Sequence, residues 1–211
     1  MSKITPKEDG PLIVQGVPVL RQRGGDIEAE KPVYALCRCG ESKNKPYCDG
    51  AHMKAGFTSD NGDAKIRNTP VSYSGEVEGK PVTISYTPVL CGHIAACQAL
   101  HKQVFDPAQR PWIQPEKGTL DGILSVVKAC PSGALRVSVD GEAEHHIDSD
   151  ATSIRINKNG PYVVKNVEIE AEFNGAGASE QEYILCRCGQ SKNKPFCDGT
   201  HHDVKWSDGA S

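Results

Sequence analysis

The sequence predicts an α+β chain of three small units: two β-rich repeats with a compact strand–helix–helix–strand (βααβ) insert between them. Three observations carry this expectation. A sixteen-residue cassette occurs twice, "CRCGESKNKPYCDGAH" from Cys37 and "CRCGQSKNKPFCDGTH" from Cys186, with three differences (Glu41/Gln190, Tyr47/Phe196, Ala51/Thr200). The likeness extends beyond the cassette, because Gly10-Pro11 precedes the first copy by 37 − 10 = 27 positions and Gly160-Pro161 the second by 186 − 160 = 26. An aromatic residue follows each cassette His by five positions, Phe57 after His52 and Trp206 after His201, so the repeat runs over 4–59 and 154–208. Between the copies the hydrophobic period changes, first alternating and then helical.

The elements follow from local pattern. Leu12-Ile13-Val14, Val17 to Leu20 and Val33 to Leu36 are short β-type runs bounded by Gly and Pro, and Val163-Val164, Val167 to Glu170 and Tyr183 to Leu185 match them in the second copy. In the insert, Val82, Ile84 and Tyr86 alternate as in a half-buried strand, and 135–139 does the same. A helix is expected over about 93–103. Another is expected over 120–129, with Thr119 as N-cap and Leu120, Ile123 and Val127 on one face. The polar stretches 59–63 and 140–150 read as linkers, giving units 1–60, 61–140 and 141–211.

Composition narrows the function classes. Only 6% of the 211 residues are aromatic, while 21 Gly and 14 Pro make the chain loop-rich, so each unit is short of apolar core. Units this small usually need disulfides or metal for support. The formal charge of −3 does not suit a nucleic-acid-binding surface. No apolar run is long enough to span a bilayer and no signal-peptide stretch stands at the N-terminus, so a soluble cytoplasmic protein is expected. Nine cysteines is an odd number for a disulfide framework, and they fall into three triplets with histidines nearby, which is the pattern of metal sites.

In each cassette the spacing Cys-x-Cys-x8-Cys-x3-His supplies three thiolates and one imidazole: Cys37, Cys39, Cys48 and His52, then Cys186, Cys188, Cys197 and His201. Zinc accepts such a set, and so does a sulfide-bridged iron pair. Gly40 and Gly189 permit a sharp turn after the second Cys, Pro46 and Pro195 stiffen the loop, and Asp49-Gly50 and Asp198-Gly199 can cap a short turn. Ser42, Ser191 and the loop amides are candidate hydrogen-bond donors to sulfur. His202, beside His201, reads as a solvated neighbour, because only His52 stands at the corresponding spacing in the first copy.

Those cassette residues, from Cys37 to His52 and from Cys186 to His201, resemble the CDGSH-type (NEET) iron–sulfur family. Ala51 and Thr200 replace the Ser of the family's motif at a non-ligand position. The resemblance implies iron rather than zinc, a [2Fe–2S] cluster on each three-Cys, one-His set, and an intertwined β-rich dimer. Two motifs in one chain imply an intramolecular pseudo-dimer, a monomer with an internal pseudo-two-fold.

The middle triplet, Cys91, Cys97 and Cys130, is a different site. Cys91 and Cys97 occupy the first and third positions of a Cys-x2-Cys-x2-Cys loop whose centre is Ile94, and Cys130 precedes Pro131. The segment from "CGHIAACQALHKQVFDPAQRPWI" to "CPSGAL" resembles the divergent single-cluster ferredoxin family. Three thiolates suit a [3Fe–4S] cluster, and His93 is the candidate fourth ligand for a [4Fe–4S] cluster; it reads equally as a polar loop residue, and a site without a cluster is the third alternative. His101 is expected on the surface, and His145-His146 solvated in the acidic linker.

Electron transfer is the leading expectation, with a redox partner protein. Cluster donation to an apo-protein acceptor, or a purely structural zinc role, are the alternatives. No P-loop, dinucleotide fingerprint or nucleophile elbow is present, so no enzyme activity is expected. Lys43, Lys45, Lys192 and Lys194 place positive charge on the cassette loops, where it would steer an acidic partner or only keep the loops soluble.

Overall fold

Strands of two to seven residues form most of the regular structure, and a computed structural model describes residues 1–142 and 151–209. The linker expected over 140–150 lies outside the described residues from 143 onward, as do His145 and His146. The first repeat holds β1 (Lys3–Pro6), β2 (Leu12–Gln15), β3 (Val19–Gln22), β4 (Ile27–Glu28) and β5 (Val33–Leu36). The second holds β9 (Ser153–Ile156), β10 (Tyr162–Lys165), β11 (Glu168–Ile169), β12 (Glu182–Leu185) and the one-turn helix α3 (Thr200–Asp203). The middle unit holds β6 (Val71–Val77), β7 (Lys80–Tyr86), α1 (Ala96–His101), α2 (Leu120–Ala129) and β8 (Leu135–Val139).

Neither repeat completes a sheet alone. One sheet has the order β11-β1-β2-β5 and the other β12-β10-β9-β3-β4, so each takes strands from both repeats. The exchange runs through two parallel pairings: β1 with β11 (Ile4 opposite Ile169) and β3 with β9 (Leu20 opposite Ile154). Short strands explain the exchange, because a four-residue strand turns only two side chains to one face. Leu12 and Val14 of β2 are buried, and they reach a full core only beside Ile154, Tyr162, Val164 and Leu185 of the other repeat.

The middle unit has its own core, centred on Ile84, Phe105, Ile113, Ile123, Val126 and Val137. It carries one strand more than the expected βααβ order. β6 pairs antiparallel with β7 over its whole length, from Val71 opposite Tyr86 to Val77 opposite Lys80. Ser72, Ser74 and Gly75 dilute its alternation, and most of its residues are exposed or half-buried, as an edge strand allows. α1 begins at Ala96 rather than near 93, because His93 (φ 47°) and Ala95 (φ 59°) have left-handed backbones that cannot continue a right-handed helix. α2 spans the expected residues, with Thr119 Oγ1 accepting from the Gly122 amide at 3.2 Å. His101, expected on the surface, is half-buried over Gly122, where a Cβ would lie 2.6 Å from its ring.

The middle unit sits on the second repeat. Arg136 of β8 is buried and donates to Ala176 O, and Thr87 Oγ1 donates to the same carbonyl at 2.7 Å. Val89 and Leu90 form a small apolar cluster with Ala134, and Ala178 packs against it. Among the described residues no helix is long and apolar enough to cross a membrane.

Candidate metal centres

Each cassette is a loop tied at both ends. The Cys37 amide donates to Pro46 O at 2.8 Å and the Cys48 amide to Ala35 O at 2.8 Å, which brings the paired and the third thiols to the same sheet end. The second copy repeats this with Cys186 to Pro195 O at 2.9 Å and Cys197 to Ile184 O at 3.0 Å. Asp49 accepts from the Lys43 amide at 2.8 Å and the Ala51 amide at 3.0 Å, and Asp198 accepts from Lys192 and Thr200 in the same way. The Asp of the motif therefore caps the turn and also anchors the loop. Ser42 and Ser191 use their hydroxyls to close the loop, donating to Tyr47 O and Phe196 O at 2.6 Å each. The expectation of a hydroxyl donating to sulfur is thus corrected, since the short loop consumes it; the amides remain as donors.

The geometry gathers the expected donors. Cys37 and Cys39 Sγ lie 3.7 Å apart, as do Cys186 and Cys188 Sγ. Cys48 Sγ is 3.4 Å from His52 Nδ1, and Cys197 Sγ is 3.4 Å from His201 Nδ1. The sulfur separations are far beyond a disulfide bond, and all nine cysteines are free. Backbone amides point at the sulfurs: Gly50 at Cys48, Gly199 at Cys197 and Gln190 at Cys188, each at 3.4 Å.

Each Cys-x-Cys pair favours one thiolate held by its neighbour's thiol. In the first copy the hydrogen bond from Cys39 carries Cys37 down to about 5 against the opposing effect of burial. In the second, the bond from Cys186 lowers Cys188. Burial, with the neighbouring His93 and His202, keeps His201 below the ordinary imidazole value, so its ring is held in the neutral form a metal requires. Three thiols, one imidazole and amide donors to sulfur fit an iron–sulfur cluster by donor chemistry.

Sequence reasoning overlooked the residue between the paired cysteines. Arg38 and Arg187 are 3% and 5% exposed, which is rare for a charged side chain and demands partners. Arg38 donates to Gly10 O at 2.7 Å, to Lys7 O and to Ser59 Oγ at 2.7 Å. Arg187 donates to Asn157 O at 2.7 Å, to Gly160 O at 3.1 Å and to the buried Asp208 carboxylate at 3.2 Å. Each guanidinium also lies over the aromatic that follows its cassette, Phe57 at 5.2 Å and Trp206 at 5.3 Å. The signal was present in sequence: the Gly-Pro turn and the trailing aromatic repeat with the cassette because Arg ties all three together.

The two cassettes meet through their backbones. Cys39 and Cys188 form an antiparallel bridge, and a Cβ on Gly40 would lie 2.7 Å from Cys188 O, one on Gly189 2.5 Å from Cys39 O. Glycine is required there both for the left-handed backbone (φ 87° and 78°) and for this approach.

In the middle unit, Cys91, Cys97 and Cys130 line one cavity of about 40 Å³ with Tyr86, Ile94, Trp112 and Leu135. Burial raises all three thiols, Cys97 to about 11, while amides of His93 (to Cys91) and of Leu135 and Ser132 (to Cys130) oppose the shift. Three thiols converging with amide donors fit a cluster held by three cysteines. Ile94 lines the cavity at the vacant position of the ferredoxin-type loop and offers no ligand. His93 lines the same cavity beside Cys91, yet it is exposed, and its ring faces His202 edge-on at 5.6 Å between centroids. His202 is exposed, as expected of a solvated neighbour, but it has this ring partner. Lys45 and Lys194 fold back toward Ser42 O (2.7 Å) and Asp60 O (3.4 Å), so part of the expected loop charge is engaged locally.

Comparison with known proteins agrees with this arrangement. The family described as "Iron-binding zinc finger CDGSH type" matches residues 9–53 and 159–202. The family described as "Divergent 4Fe-4S mono-cluster" matches residues 77–140. "Uncharacterized protein YjdI" of Escherichia coli strain K12 is 28% identical over 58 residues, which is 28% of this chain and 76% of YjdI. YjdI of Escherichia coli O157:H7 matches with the same figures. No solved structure matches. Neither family description names a catalytic activity. The chain is an iron–sulfur-binding protein in which two CDGSH-type iron-binding motifs flank a divergent 4Fe–4S mono-cluster domain.

Proposed function

We propose that the protein carries electrons between partner proteins, with its three thiol sites arranged in series. In this reading Cys37, Cys39, Cys48 and His52 hold one [2Fe–2S] cluster, and Cys186, Cys188, Cys197 and His201 hold another. Cys91, Cys97 and Cys130 hold a third cluster, [3Fe–4S] with three ligands, or [4Fe–4S] with one more. Units 1–60 and 141–211 act as an internal pseudo-two-fold pair, with 61–140 as the insert, in a cytoplasmic monomer. When bound, the clusters would supply reversible one-electron chemistry; the chain sets the three sites next to one another.

One observation carries the reading: the loops of the three sites abut in a fixed order. Cys91 O would lie 2.8 Å from a Cβ on Gly199 of the second cassette, and Cys39 pairs with Cys188 between the cassettes. The middle site therefore neighbours the second cassette, which neighbours the first.

Iron and sulfide per chain, measured together with EPR of the oxidised and reduced protein, test it. The expected result is two [2Fe–2S] centres visible only on reduction and a middle centre whose relaxation is altered by reducing the second cassette. The Cys37→Ser variant should leave that coupling intact. Absence of acid-labile sulfide would overturn the reading.

A second reading, donation of a cluster to an apo-protein, is favoured at the first cassette alone. There Cys48 and His52 are half-buried and Met53 is 77% exposed. Incubation with an apo-ferredoxin separates the two, since transfer from the first cassette supports donation and retention supports the relay.

A further inference from the structure

We infer that His93, His202 and Asp203 form a separate site for a borderline divalent cation of the Zn²⁺ class, bridging the middle unit and the second cassette. One ligand atom from each of the three residues lies within 4.8 Å of the others. His202 Nδ1 is already 3.6 Å from Asp203 Oδ1. At metal–ligand bonds near 2.0–2.1 Å, tetrahedral donors stand about 3.3–3.4 Å apart. One pair is thus close to that spacing, and side-chain rotation at three exposed residues closes the rest.

The placement of His93 is built by the fold. It stands in the left-handed loop after Cys91, and its ring packs on Gly199, where a Cβ would lie 3.0 Å from Cγ and Nδ1. That contact brings His93 over α3, which carries the other two donors. None of the three belongs to a cassette set, because His201 supplies the imidazole beside Cys197.

Ligand chemistry chooses the ion. Two imidazoles and one carboxylate suit zinc, copper or nickel, whereas calcium and magnesium require oxygen donors. Arg155, Lys158 and Lys205 line the adjoining groove with His93 and His202. Their positive charge opposes every divalent cation alike, so the preference for a zinc-class ion rests on the two imidazole donors. A bound ion would tie the Cys91 loop to the second cassette.

Calorimetric titration of the cluster-loaded protein with ZnCl₂, with the visible spectrum and EPR recorded in parallel, tests the site. One zinc should bind with the cluster spectrum unchanged. His93→Ala and His202→Ala should each weaken binding by more than about 100-fold, beyond the loss typical of an outer-shell partner. Asp203→Asn should weaken it less, and none of the three should alter the cluster EPR. Zinc binding that survives both His variants would overturn the inference, and so would binding that proceeds with loss of iron. If His93→Ala changes the middle EPR signal while zinc still binds, His93 serves that cluster and the inference fails. Loss of the electron-transfer reading would instead show as absent clusters with zinc binding preserved.

Discussion

The two cassettes differ at three of sixteen positions, yet the structure gives them different surroundings. In the first, Cys48 and His52 are half-buried and the next residue, Met53, projects into solvent. In the second, Cys197 and His201 are 3% and 8% exposed, and Gly199 lies against the Cys91 loop. The supports differ as well. Arg38 ends on the hydroxyl of Ser59, whereas Arg187 ends on the carboxylate of Asp208. Tyr162 reaches across to donate to Cys37 O at 2.8 Å, while the corresponding Leu12 has no hydroxyl to return the contact. The lesson is that near-identical donor loops acquire different surroundings from what packs on them: one faces solvent and the other faces a third site.

Four experiments break or sharpen this contrast. The largest effect is expected at the buried arginines. Asp208→Ala leaves the Arg187 guanidinium buried without its carboxylate and should cost about 3–5 kcal/mol. Ser59→Ala in the first copy removes one neutral acceptor and should cost about 1 kcal/mol. Denaturant unfolding of the loaded protein measures both, and equal losses would erase the distinction.

The turn glycines come next. Gly50 and Gly199 share a left-handed backbone (φ 85° and 86°), so alanine costs about 1–2 kcal/mol at either from strain alone. A Cβ at 50 meets only the flexible end of Met53 at 3.2 Å, whereas one at 199 meets Cys91 O at 2.8 Å and the His93 ring at 3.0 Å. Gly199→Ala should therefore lower Tm further than Gly50→Ala and weaken the magnetic coupling of the second and middle sites. The same shift for both would contradict the contact of Gly199 with the Cys91 loop.

Tyr162→Phe should cost about 1 kcal/mol through its lost hydrogen bonds, with the spectroscopic change confined to the first cassette. A change in the second cassette alone would contradict the crossing contact.

The smallest effect concerns Glu182, which is buried where the first copy has the exposed Val33. Burial raises its carboxyl above the usual range, against the opposing Lys165 at 3.1 Å. A raised folded value means the native state holds the proton more tightly than the unfolded chain. The ionised group thus costs stability above the folded value, and that cost vanishes as pH falls below the unfolded one. Glu182→Gln should be more stable than the parent at pH 7 by less than about 1 kcal/mol, with the gap closing in acid. A gap that widens in acid would reverse the sign.

Much of the site was legible because its information is local. A cassette of sixteen residues carries four donors at fixed spacing, and its loop closes on itself through hydrogen bonds such as Asp49 to the Lys43 amide. α2 was equally legible, since Thr119 and an apolar face lie within eleven residues. β1, β4, β6 and β9 were not. They are short or weakly alternating, and their pairing partners supply what their own sequence lacks. The start of α1 was misplaced because left-handed His93 and Ala95 carry no glycine to announce the turn. The roles of Arg38 and Arg187 stayed hidden because their acceptors are backbone carbonyls and remote side chains.

By itself the sequence determined that there are two donor cassettes and a third, different triplet, since ligand identity and spacing are properties of contiguous chain. Only the tertiary structure decided which strands the repeats exchange, that the middle unit sits on the second cassette, and that His93 meets His202. Those outcomes depend on parallel pairings between residues some 130 to 165 positions apart and on close approaches permitted by missing Cβ atoms, as at Gly199 against the Cys91 loop and at Gly133 against Gly177 O. The near-identical cassettes do not show on which copy the middle unit sits; the structure does, with Arg136 donating to the carbonyl of Ala176 in the second repeat.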